Sequence, residues 1–129
     1  MPVKILVADD SAIVRQVICR LLRERLGWEI VGEAADGENA VKLAKQLSPD
    51  LIVLDFLMPG LNGIEAAREI VRASPNVPIM LCTMYLSPQL LDLAKNAGVT
   101  GTLSKSNLGQ LIPGIETILS GSTYFSPAS

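Results

Sequence analysis

Five polar side chains stand where apolar runs stop. Asp9 and Asp10 end VKILVA, Asp55 ends LIVL, Thr83 follows VPIMLC, and Lys105 follows GTLS. Four of the five have an ordinary explanation alone. An aspartate before a helix can cap it, a threonine can serve a turn, and a lysine is usually solvated. Asp55 fits none of these, because no helix begins directly after it and an unpaired carboxylate against buried chain is costly. Two carboxylates ~4 Å apart repel by about 4 kcal/mol at an effective dielectric of 20, so three gathered at one place require a cation. A few oxygen ligands with room for water suit Mg2+. A carboxylate can itself attack a phosphoryl group and become an aspartyl phosphate, while a metal and an ammonium absorb charge on the transferring oxygens. On this reading Asp55 is the nucleophile and Asp9 and Asp10 hold the metal. Pro59-Gly60 and Asn62-Gly63 hold the next loop in a turn, with a backbone carbonyl near the ion.

These residues meet only if the intervening chain brings them to one edge. Val3–Ala8, Trp28–Ala35, Leu51–Leu54, Val77–Cys82 and, more weakly, Thr100–Leu103 read as strands. Between them apolar residues recur at helical spacing: Val14, Val17, Ile18, Leu21 and Leu22; Ala40, Val41, Leu43, Ala44 and Leu47; Ile64, Ala67, Ile70 and Val71; Leu90, Leu91, Leu93 and Ala94. Asp36-Gly37, Asn62-Gly63 and Ser87-Pro88 mark helix starts, and Gly27, Pro49 and Gly98 mark stops. Leu108–Leu119 reads as the last helix. Near-continuously apolar strands alternating with helices argue for a parallel sheet covered on both faces, and in such sheets ligands sit beyond the carboxyl ends of the strands. All five polar residues fall there.

The 129 residues carry a net charge of −2, with no bulk electrostatic case for binding nucleic acid directly. Histidine is absent, which excludes histidine-dependent triads and imidazole-ligated zinc. Cys19 and Cys82 lie inside apolar segments and read as small hydrophobes in a reducing compartment. No run approaches the ~20 apolar residues of a membrane span, and MPVKILVADDS is too short-cored for a secretory signal. A cytoplasmic protein is expected. Neither phosphate-binding glycine motif, G-x-x-x-x-G-K-[ST] or G-x-G-x-x-G, occurs.

Taken in order, ILVADDS, LIVLDFLMPGLNGIE, Thr83 and Lys105 after Gly101-Thr102-Leu103-Ser104 resemble the receiver domain of bacterial two-component response regulators, over essentially the whole chain. The resemblance implies a (βα)5 flavodoxin-like, doubly wound parallel five-stranded sheet of order 2-1-3-4-5. It implies phosphoryl transfer from a sensor histidine kinase to Asp55 with Mg2+. Asp10, Asp55 and the backbone carbonyl of Leu57 would ligate the metal directly, and Asp9 through water. Lys105 would pair with the phosphoryl group, and Thr83 would hydrogen-bond it and shift as the switch. Ala12 and Arg15 would contact the kinase, although a solvated arginine face accounts for them equally well. A homodimer would use the strand-four to last-helix face. LGQLIPGIETILSGSTYFSP is similar to the last helix and exit of NarL/FixJ (LuxR-type) regulators. Residues 1–121 are therefore read as the receiver. Residues 122–129 are read as an exit segment toward a helix-turn-helix domain absent from this sequence, DNA being reached only through that domain.

Several positions depart from the family pattern. Thr102 stands where the family places an aromatic, and Met84 where it keeps something smaller. Ser106 stands where many receivers have a cis proline; a cis bond before serine would cost roughly 2.5–4 kcal/mol, so trans is expected. Pro113-Gly114 should weaken or kink the last helix. Leu57 and Tyr85 would flank the phosphoryl group, exclude water and give a phosphoform lasting hours. The departures motivate one alternative, a phosphorylation-independent interaction module. A haloacid-dehalogenase-type phosphatase would need an acid where Leu57 stands.

Overall fold

Strands that are apolar along nearly their whole length are buried on both sides. The computed structural model describes residues 2–126, and in it β1 (Val3–Ala8), β3 (Leu51–Leu54) and β4 (Ile79–Thr83) form the sheet centre, β3 and β4 without an exposed residue. β2 (Trp28–Ala34) flanks them on one side, and β5 (Gly101–Ser104) followed by β6 (Tyr124–Phe125) on the other. All pairings are parallel, in the order β2-β1-β3-β4-β5-β6.

Side-chain alternation along each strand divides the core in two. Leu6, Ile52, Leu54, Ile79 and Leu81 meet α2 (Gly37–Leu47), α3 (Gly63–Ala73) and α4 (Pro88–Asn96). Ile5, Val7, Val53, Met80 and Leu103 meet α1 (Ala12–Arg23) and α5 (Leu111–Leu119). Helix starts are set by side-chain caps: Ser11 accepts from the Val14 amide, Asp36 from Asn39 and Ser87 from Leu90, and Asn62 forms a reciprocal capping box with Glu65. Among the described residues, no helix is long and apolar enough to cross a membrane.

Among the described residues the sheet has six strands, not five. Tyr124 donates its amide to the Thr100 carbonyl at 3.1 Å, and Ser126 donates from backbone and hydroxyl to the Thr102 carbonyl at 3.0 and 2.9 Å. Two glycines make room: a Cβ on Gly101 would strike the Tyr124 carbonyl, and one on Gly114 would come within 3.0 Å of the Tyr124 ring. A two-residue strand has no period to read, so the sequence pattern does not mark it; residues 127–129 of the 122–129 segment lie outside the described ones.

Pro113 also behaves differently from expectation. A 3-10 segment, Lys105–Gln110, precedes α5 and breaks helical geometry at Asn107. The α-helix proper starts at Leu111, placing Pro113 in its first turn, where a backbone N–H has no intrahelical partner to lose. The expected kink at Pro113 is absent because the helix begins three residues later than the apolar pattern suggests. The fourth strand likewise starts two residues later than VPIMLC implied and extends to include Thr83.

Candidate functional site

Backbone ladders place the acids before their side chains act. The Asp9 amide donates to Ala34 of β2 at 3.0 Å, and the Asp55 amide donates to Ala8 of β1 at 2.9 Å, carrying the sheet one residue past each strand end. Asp9 and Asp55 are 1% and 4% exposed, whereas Asp10 is exposed. One carboxylate oxygen from each of Asp9, Asp10 and Asp55 lies within 4.8 Å of the other two. The sequence-based grouping of these three residues is therefore met in space. Ser11, rather than either acid, caps α1.

Lys105 reaches this group from the end of β5. Its Nζ lies 2.6 Å from Oδ2 of Asp9 and 3.0 Å from Oδ2 of Asp55, with the side chain 12% exposed. The remaining oxygens are held by local backbone: Oδ1 of Asp9 accepts from the Ser11 amide at 2.9 Å, and Oδ1 of Asp55 from the Phe56 amide at 2.8 Å. Burial is the largest influence on Asp55 and pushes its carboxyl above the ordinary range; the Lys105 hydrogen bond opposes this and the charge of Asp9 adds to it. For Lys105, burial works against the ammonium, but the hydrogen bonds and charges of Asp9 and Asp55 outweigh it and raise its pKa.

The loop after Asp55 folds back tightly. The Gly63 amide donates to the Phe56 carbonyl at 2.7 Å, and any Cβ at Gly63 would run into the backbone of Asp55 and Phe56. Leu57 lies in this loop with its side chain exposed, and Met84 and Tyr85 are exposed beyond β4. Thr83 is fully buried at the end of β4, its hydroxyl accepting from the Tyr85 amide at 3.2 Å. Thr102 is also fully buried, its hydroxyl without a partner among the described residues, and pairs in register with Phe125 of β6.

The Lys105–Ser106 bond is trans, as expected, there being no cis peptide among the described residues. Ser104 caps the 3-10 segment, accepting from the Ser106 amide at 3.2 Å with the two hydroxyls 2.7 Å apart. A local turn thus directs Lys105 into the site without proline.

Of the two suggested docking residues, Ala12 is exposed at the start of α1. Arg15 is not a free surface arginine: it donates to the Asp9 carbonyl at 2.6 Å and to Glu33 at 3.3 Å. Reading the sequence for caps and periodicity missed these contacts. The available signal was that helical side chains lean toward the N-terminus, so an arginine one turn into α1 faces the Asp9 loop.

Among the described residues the donor set offers oxygen from three acids against one ammonium, and Oδ2 of Asp9 has no partner there beyond that ammonium. This chemistry fits a hard divalent cation. The family model for the response regulator receiver domain matches residues 5–115. The chain belongs to that family. This receiver is 34% identical over 126 residues to response regulator GacA of Pseudomonas aeruginosa, covering 97% of the chain and 59% of GacA. It is 42% identical over 122 residues to transcriptional regulatory protein PdtaR of Mycobacterium tuberculosis, covering 93% of the chain and 58% of PdtaR. The receiver therefore spans somewhat more than half the length of these relatives. Among solved structures, a LuxR-family two-component response regulator from Aurantimonas sp. SI85-9A1 superposes with a TM-score of 0.94 at 36% identity, covering 98% of this chain and 91% of that one.

Proposed function

We propose that this receiver is a phosphoacceptor that takes a phosphoryl group from a sensor histidine kinase onto Asp55, with Mg2+, and switches a signalling output. The observation that supports it most is the convergence of Lys105 on Asp9 and Asp55, which puts a cation beside a buried nucleophile. An Asp55 oxygen attacks phosphorus in line. The O–P bond forms as the N–P bond of a kinase phosphohistidine breaks, and the imidazole leaves with the electron pair. Lys105 then turns from the free carboxylates to the phosphoryl oxygens. The Thr83 hydroxyl gives up the Tyr85 amide and donates to the same group, which moves the loop after β4. Asp10, Asp55 and the Leu57 carbonyl would hold Mg2+ directly and Asp9 through water, and the chemistry the bound ion would supply is neutralisation of charge on the transferring oxygens. The domain performs only its own phosphorylation and dephosphorylation.

In a longer regulator, residues 1–121 would form the receiver and 122–129 would lead toward a helix-turn-helix domain, with DNA contacted only there. GacA and PdtaR both extend well beyond the matched segment, and PdtaR is a transcriptional regulatory protein, which supports that output. Ala12 on α1 would meet the kinase, and a homodimer would form on the β4–α5 side. The cell compartment consistent with this role is the cytoplasm.

Intact-mass measurement after incubation with a small phosphodonor, with and without Mg2+, tests the proposal. One phosphoryl group added only with Mg2+ is expected. Mg2+ uptake without any mass gain would instead favour the phosphorylation-independent module, which the small, buried Thr102 motivates.

A further inference from the structure

Arg15 carries an inference that rests on reading the acidic rim as a Mg2+ site. Its side chain leaves α1 one turn from the N-terminus and returns to the loop after β1. There Nη1 donates to the Asp9 carbonyl at 2.6 Å, and Nε pairs with Oε1 of Glu33 on β2 at 3.3 Å. The Arg15 side chain is only 19% exposed, against 43% for Glu33. Asp9 is thus fixed from every side: its amide by β2, its carboxylate by the Ser11 amide and Lys105, its carbonyl by Arg15.

That carbonyl belongs to the planar peptide joining Asp9 to Asp10. Its orientation sets the direction in which the exposed Asp10 side chain leaves the backbone. We propose that Arg15 is a positioning residue for the cation site, locking the Asp9–Asp10 peptide so that the Asp10 carboxylate meets those of Asp9 and Asp55. Glu33 in turn holds the guanidinium and cancels its charge. Simple charge arithmetic gives the opposite expectation, since deleting a cation beside three carboxylates should tighten Mg2+ binding. The sign of the effect therefore separates positioning from electrostatics, and a residue used only for kinase docking would give no effect.

Calorimetric Mg2+ titration of the full chain and of Arg15→Ala, Arg15→Lys and Glu33→Gln tests this, with thermal unfolding in the absence of metal as a parallel readout. Arg15→Ala is expected to weaken Mg2+ binding about tenfold, the lower end for loss of support around a metal site. Arg15→Lys, which keeps the charge but not the forked geometry, should recover part of that loss, and Glu33→Gln should lose less. The metal-free unfolding temperatures should stay close together. Mg2+ binding by Arg15→Ala as tight as in the parent, or tighter, would overturn the inference while leaving the cation site standing. If Arg15→Ala does not fold, Arg15→Lys decides: weaker binding supports positioning and unchanged binding overturns it. A parent chain that takes up no Mg2+ would remove the cation-site reading and this inference together.

Discussion

Asp50 and Asp55 stand on either side of the same strand, β3, one just before Leu51 and the other just after Leu54. Asp50 is exposed, and its carboxylate accepts the Lys4 amide at 2.8 Å, tying β1 to β3 at the amino end of the sheet. Asp55 is buried at the carboxyl end, facing an ammonium and two other carboxylates. Both carry a formal charge next to the same four apolar residues. Burial raises the Asp55 carboxyl pKa, and of the two aspartates only Asp55 belongs to the acidic cluster. A carboxylate satisfied locally needs no partner from elsewhere, whereas Asp55 is paired by Lys105 from fifty residues away, a contact that only the fold can make.

The largest contrast should appear when each aspartate is neutralised. Asp55→Asn is expected to abolish Mg2+-dependent phosphorylation by a small phosphodonor, and Asp50→Asn to leave it near the parent level, both read by intact mass. Replacing Lys105 with Met should slow phosphorylation by roughly 10²–10³-fold, the usual effect of losing a transition-state charge partner. The same variant should bind Mg2+ more tightly in titration, because three carboxylates then lack their only ammonium. Rate and affinity moving the same way would break the assignment of Lys105 to phosphoryl oxygens.

Smaller effects sharpen the picture of what surrounds Asp55. Leu57 and Tyr85 are exposed beside the site, and the double variant Leu57→Asn, Tyr85→Glu should lose its phosphoryl group about tenfold faster by admitting an oriented water. Decay as slow as the parent's would remove water exclusion as their role. The smallest expected effect is on folding. The Asp55 carboxyl holds its proton more firmly in the folded chain than in the unfolded one, so metal-free stability should rise as pH falls from neutral through its raised pKa. That gain ends below the unfolded value of 3.8. At neutral pH, Asp55→Asn should raise the metal-free unfolding temperature by about 2–4 °C and flatten this slope, whereas Asp50→Asn should not raise that temperature.

Much of this is legible in the sequence alone. Continuous apolar runs gave the buried strands, and Asp36, Asn62 and Ser87 marked helix starts that side-chain capping explains. The acids and Lys105 were legible because charges that end buried strands are hard to account for otherwise. What stayed hidden depends on groups with no periodic signature. β6 is a two-residue strand admitted by the missing side chains of Gly101 and Gly114. Pro113 looked like a helix breaker because the apolar pattern runs on through the 3-10 segment. Arg15 read as surface because its partners are a backbone carbonyl and a glutamate eighteen residues away.

Locating the phosphoryl group tests the central claim most directly. After incubation with a small phosphodonor, the peptide containing both Asp50 and Asp55 is sequenced by mass spectrometry, with Mg2+ and with a chelator. A single phosphoryl group on Asp55, present only with Mg2+, is the predicted result. A phosphoryl group on Asp50, or one on Asp55 that forms equally well in the chelator, would contradict the account.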